Sequence, residues 1–231
     1  MRHLACSLVA AACGLLAAQA RADNISFPSF AHGSETVTIT MSSPNVSKTE
    51  DVNAGGFLTI DNGGPSFVSY CVDVYQTINF GAPPYPEYVP VGGAHVFANS
   101  NAYADLSRLY ATAGVVADAV HEAAFQIAAW EIAYETSGTY NLSSGSASFS
   151  GGSAASSGAL ALASTWLSGL HGGGPTISVL ESAAHQDLIY APVPKRPSAI
   201  SKTVEGSGTG VAVRRNARQG GGAVGALHAT A

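Results

Sequence analysis

The sequence predicts an α+β fold: a single domain in which a small antiparallel β-sheet packs against two or three helices. Three observations predict it. Alternating apolar and polar residues, the period of a half-buried strand, fall early in the chain. Apolar residues at helical spacing fall later, so strands and helices do not interleave as in a parallel α/β fold. Clusters of glycine, proline and serine separate these segments, and the length suits one hydrophobic core.

Residues 35–42, Glu-Thr-Val-Thr-Ile-Thr-Met-Ser, alternate with β-branched side chains and predict a strand. Residues 57–60, bracketed by Gly55-Gly56 and Asn62-Gly63-Gly64-Pro65, predict its hairpin partner or neighbour. A longer strand is predicted over residues 67–80. It sets Val68, Tyr70, Val72, Val74 and Ile78 on one face, and Phe67, Ser69, Cys71, Asp73 and Tyr75 on the other. Cys71 thus falls on the more polar face. Pro83, Pro84, Pro86 and Pro90 make residues 81–92 irregular or polyproline-like.

Asn99-Ser100-Asn101 precedes a helix predicted over residues 102–113; a second is predicted over residues 116–135, with Asp118 in its first turn and Gly138 beyond its end. At about 100° per residue, the second helix sets Val120, Ala123, Ala124, Ile127 and Tyr134 on one stripe. Phe125 and Ile132 lie nearly opposite. A helix apolar on two sides is buried on both. Gln126 shares a face with Glu122 and Trp130, so its amide, inside a central helix, needs a partner.

Residues 143–158, rich in Ser, Gly and Ala around Phe149, predict a flexible loop. A third helix over residues 159–170 carries Leu160, Leu162, Trp166, Leu167 and Leu170 and stops at His171-Gly172-Gly173-Gly174-Pro175. A strand over residues 176–180 and a turn to Asp187-Leu188-Ile189 close the domain. Residues 192–231, with no apolar periodicity, predict a disordered basic Gly/Ala-rich tail.

Ahead of the domain, Met1-Arg2-His3, an apolar run over residues 4–18 and small residues at 20 and 22 predict a cleavable signal peptide over residues 1–22. The run is short for a membrane span and no longer one follows, so the mature chain is expected without a membrane span, secreted or at the cell surface. Residues 23–191 carry Lys48 and Arg108 against fourteen acidic residues. Nucleic-acid binding relies on lysine and arginine at phosphates, so the domain is not expected to bind it. Cys6 and Cys13 leave with the leader; Cys71 is the one cysteine of the mature chain and has no disulfide partner.

Motifs of common chemistries are incomplete. His121-Glu122-Ala123-Ala124-Phe125 begins like a helical zinc-protease motif but lacks the second histidine. Gly151-Gly152-Ser153-Ala154-Ala155 lacks the last glycine of a nucleophile elbow. Asp51-Val52-Asn53-Ala54-Gly55 departs from a calcium loop at its fifth position. The histidines at 32, 95, 121, 171 and 185 have no metal-ligand spacing. Neither a metal nor a cofactor is expected.

Two blocks stand apart: Tyr70-Cys71-Val72-Asp73 on a strand, and Phe125-Gln126-Ile127-Ala128-Ala129-Trp130-Glu131 on a helix. The pair resembles the signature blocks of the bacterial thioester domain, an aromatic-Cys segment and a later Gln-x-Ala-x-Trp. The resemblance implies that the Cys71 thiol and the Gln126 side chain form an internal thioester. Trp130, Tyr70 and Glu122 are then candidates to shield or support it. The same blocks resemble exported Gram-negative proteins with a C-terminal PEP-CTERM sorting signal, over about residues 65–194.

Together these resemblances imply a non-enzymatic, adhesive surface or extracellular protein that couples to an amine-bearing protein or matrix polymer. Two alternatives stand beside it: an exported structural or matrix protein with an inert, buried Cys71, and a hydrolase with Cys71 as nucleophile and His95 or His121 as base. The chain departs from the PEP-CTERM pattern at Val193-Pro194-Lys195-Arg196, where no apolar span follows. Either the protein is released freely or the tail reflects a change of reading frame.

Overall fold

The computed structural model describes residues 22–42, 47–91 and 95–192. The predicted leader, apart from Ala22, and the predicted tail beyond residue 192 lie outside the described residues.

The α+β class is right, but the sheet is larger than the sequence suggests. Thirteen elements follow in order: β1 Asp23–Phe30, β2 Glu35–Met41, β3 Lys48–Ala54, β4 Phe57–Asp61, β5 Ser66–Cys71, β6 Tyr85–Val91, α1 Ala102–Ala113, α2 Ala119–Tyr134, β7 Ala147–Ser150, α3 Gly152–Ser157, α4 Ala159–Ser168, β8 Ser178–Glu181 and β9 Leu188–Tyr190. Six strands close into an antiparallel barrel in the order β1-β4-β5-β9-β8-β6, and β3-β2-β7 form a separate three-stranded sheet. Closure removes the edges an open sheet of that size would leave.

Proline and bulges conceal the strands that build the barrel. β1 alternates Ile25 and Phe27 inward, but Pro28 lies where its register against β4 shifts, between Ser26 and Ser29. β6 contains Pro86 and Pro90; Pro86 sits in the register shift between the Tyr85 and Tyr88 pairings with β1, a place where a strand tolerates a missing N–H. The predicted long strand ends at Cys71, and residues beyond it form turns. The stretch read as a flexible loop holds β7 and the short α3.

The predicted polar face of β5 is the interior one. Ser69 and Cys71 are fully buried, and Ser69 shares a 2.6 Å hydroxyl hydrogen bond with buried Thr59 on β4. A satisfied hydroxyl pair costs a barrel interior little.

α2 is the central helix, packed against α1, α4 and strands of both sheets. Every residue from Glu122 to Tyr134 is buried, as its two apolar stripes predict. Asp118 is its N-cap and not a first-turn residue: the carboxylate accepts from the His121 N–H at 2.9 Å. Among the described residues no helix is long and apolar enough to cross a membrane.

Candidate functional site

The site lies where β5 outruns β4. Ser69 pairs with Phe57 at the end of β4, whereas Cys71 pairs with Leu188 of β9. The Val72 N–H donates to the Asp187 carbonyl on the β9 side at 2.8 Å. Backbone groups of successive strand residues alternate in direction, so those of Cys71 face the gap that a longer β4 would fill.

Gln126 fills that gap. Its Oε1 accepts from the Cys71 N–H at 2.9 Å, and its Nε2 donates to the Cys71 carbonyl at 2.7 Å. The carboxamide thereby acts as one more residue of β4. This is the partner that the buried amide required. Helical spacing then sets Glu122, Gln126 and Trp130 in one row on α2, facing the barrel.

The Cys71 thiol is fully buried and donates to the Asp73 carbonyl at 3.0 Å. Burial pushes its pKa up to about 12, against the opposing pull of the Trp130 indole and the Asp73 backbone. The indole N–H thus lies near enough to favour a thiolate, yet among the described residues it has no hydrogen-bond acceptor of its own. The Trp130 ring is 3% exposed and stacks on Phe149, their planes 5° apart.

Cys71 and Trp130 form the base of a groove of about 500 Å³. One wall is β3; the other is the turn region after β5, from Gln76 to Phe80. Phe30, Phe57 and Phe80 pack edge-on and stacked at one end, with centroids 4.7 to 5.6 Å apart. Near the other, Lys48 bridges the walls by donating to the Val74 carbonyl at 2.8 Å.

Tyr70 and Glu122 form a second cluster beside the first. Tyr70 packs on Phe125, with centroids 4.1 Å apart, and on Tyr110. Glu122 is fully buried; its Oε1 meets His32 Nδ1 at 2.6 Å, while Oε2 has no hydrogen-bond partner. Burial, followed by the adjacent Glu122 carboxylate, pushes the Tyr70 phenol well above its ordinary pKa. Gly56 permits this packing, since a Cβ there would lie 2.2 Å from Glu122 Oε2. Among the described residues neither side chain hydrogen-bonds Cys71 or Gln126; both pack where α2 meets the barrel.

The structure thus brings Cys71, Gln126 and Trp130 together and sets Tyr70 and Glu122 alongside. His95 pairs with Glu181 at 2.7 Å and His121 with Asp118 at 2.8 Å; neither hydrogen-bonds Cys71. The groove walls escaped the sequence reading. The signal available was the alternation of Glu50, Val52 and Ala54, which the charges at 48, 50 and 51 obscure.

Comparison of the chain with protein-family models, with curated proteins and with solved structures finds no match.

Proposed function

We propose that the protein is an exported, adhesive surface or extracellular protein in which Cys71 and Gln126 join as an internal thioester that couples to amines. The observation that carries this reading is the two-way hydrogen bond between the Gln126 carboxamide and the Cys71 backbone, at a site closed to solvent. The resemblance of the two sequence blocks to thioester domains and to PEP-CTERM proteins supports the covalent bond and the export.

Formation is a balanced acyl transfer. The Cys71 sulfur bonds to Gln126 Cδ, the C–N bond breaks, and the thiol proton leaves with the amide nitrogen as ammonia. Negative charge gathers on Oε1 in the tetrahedral intermediate, and the Cys71 N–H already donates to that atom. A thiol with its pKa near 12 is a poor nucleophile at neutral pH. Two features offset this: the Gln126 carboxamide is held against the Cys71 backbone, which makes the reaction intramolecular, and the bond has to form only once; effective concentrations on the order of 10⁵ M are reached in such reactions when the reacting atoms align.

Coupling is the second transfer. An amine nitrogen attacks the same carbon, the C–S bond breaks, the thiolate takes the proton the amine gives up, and a stable amide remains. The Trp130 indole N–H favours the departing thiolate. Burial slows hydrolysis until an amine arrives.

Intact-mass measurement of the mature protein tests the proposal. We expect a deficit of one ammonia, absent in Cys71→Ala and in Gln126→Ala, and converted by methylamine to a gain of one methylamine over the deficit mass. A wild-type mass equal to the sequence mass overturns it. That result favours the second reading, an exported structural or matrix protein with an inert Cys71, which draws on the same contact: both hydrogen-bonding groups of the amide are satisfied by backbone.

A further inference from the structure

Successive side chains of a β-strand leave on opposite faces. Four consecutive residues that line one cavity therefore present it with the edge of the strand. Glu50, Asp51, Val52 and Asn53 do this along the groove above Cys71 and Trp130. β3 pairs with β2 on one side, and among the described residues no hydrogen bond engages its backbone on the other. The opposite outer strand, β7, is covered, because the Phe149 N–H donates to the Leu142 carbonyl at 2.7 Å.

We propose that the free edge of β3 takes an extended, lysine-bearing segment of a partner protein as an added strand, which lays a lysine side chain into the groove toward Cys71. The delivery to Cys71 rests on the thioester reading; the docking does not.

Charge selects the occupant. Glu50 and Asp51 are exposed along the edge; Lys48 pairs with Glu50 at 2.6 Å and donates to the Val74 carbonyl, so one carboxylate, Asp51, whose Oδ1 accepts from the Thr38 hydroxyl, is in excess along the edge. A cationic segment fits this balance. A second copy fits less well, since the antiparallel register of two β3 edges centred between residues 50 and 51 sets Glu50 against Asp51 of the other chain, and like charges across a ladder are destabilising. At about 3.4 Å per residue, residues 50–53 offer about 14 Å of edge, enough for about four peptide residues.

The groove completes the recognition. The Phe30, Phe57 and Phe80 rings suit the apolar side chain of a neighbouring peptide residue. Two buried polar atoms of its lining residues have no hydrogen-bond partner among the described residues: the Trp130 indole N–H and Gln76 Oε1. An ammonium or amide entering the groove supplies a hydrogen to Gln76 Oε1, while the Trp130 indole N–H is left to the Cys71 sulfur.

The test measures binding of the blocked peptide acetyl-Val-Thr-Lys-Val-Thr-amide to the full-length Cys71→Ala variant by titration calorimetry or NMR. We expect saturable binding at or below about 1 mM. Two further peptides carry N-methyl groups on alternate amides, one set each. One set should weaken binding by about tenfold or more, since it removes ladder hydrogen bonds, and the other should be tolerated. Glu50→Lys with Asp51→Lys should weaken binding of the parent peptide. The docking is overturned by no saturable binding, by equal binding of both methylated peptides and the parent, or by an unchanged affinity in the charge-reversed variant. A wild-type protein that captures methylamine but does not bind the peptide sinks the docking alone. Register-dependent binding beside a wild-type mass with no ammonia deficit sinks the thioester alone.

Discussion

Replacing Gln126 by methionine measures what its carboxamide contributes to the barrel wall. The reference is the Cys71→Ala variant, so that no covalent bond enters the comparison and the backbone pair with residue 71 persists. Methionine keeps the length and most of the volume of glutamine, and such exchanges cost under about 1.5 kcal/mol by themselves. It cannot, however, serve the residue 71 N–H and carbonyl, which Gln126 engages at 2.9 and 2.7 Å. Each buried backbone group left without a partner costs about 1 to 3 kcal/mol. The double variant should therefore lose about 2 to 6 kcal/mol relative to Cys71→Ala, and for a domain of this size about 5 to 20 °C in Tm. Urea unfolding followed by circular dichroism reads the first, and a thermal scan the second. A loss under about 1 kcal/mol would mean that another group or water takes over both backbone atoms, and the view of Gln126 as a stand-in for a strand residue would be wrong.

Three further outcomes are expected. His32→Ala leaves the fully buried Glu122 carboxylate without its 2.6 Å partner and should cost about 1 to 3 kcal/mol; a denaturation titration should find His32→Ala with Glu122→Gln more stable than His32→Ala alone. Burial pushes the Glu131 carboxyl up to about 7 from 4.5, so between those values the folded state keeps a proton that the unfolded state has lost. Its contribution is full below pH 4.5 and is lost as pH rises through 7; Tm against pH should decline across that window in the wild type and less in Glu131→Gln. Trp130→Phe keeps an aromatic ring but removes the indole N–H, and should slow methylamine capture by about tenfold, as loss of a hydrogen bond to a charged sulfur implies, while circular dichroism shows the fold retained.

The helices were legible because their signals are local. α2 carries two apolar stripes and the Asp118 cap, and its burial on all sides follows from them. The pairing of Cys71 with Gln126 was legible only as a resemblance, because 55 residues separate them and nothing in local spacing reports a side chain that replaces a strand. The barrel was not legible. Pro28 and Pro86 mark bulges, yet in a single sequence they read as strand breakers. β5 was read too long because Val72 and Val74 continue the alternation past Cys71, although the chain turns there. β8 and β9, of four and three residues, owe their place to pairing with each other and with distant strands.

The closing stitch of the wall beside β5 is a side chain borrowed from a helix, and this ties α2 to the barrel. Turning α2 by a single residue, about 100°, would swing the amide out and leave both the N–H and the carbonyl of Cys71 unpaired in one motion. The axial rotation of that helix is therefore fixed to the barrel as a key is to its lock.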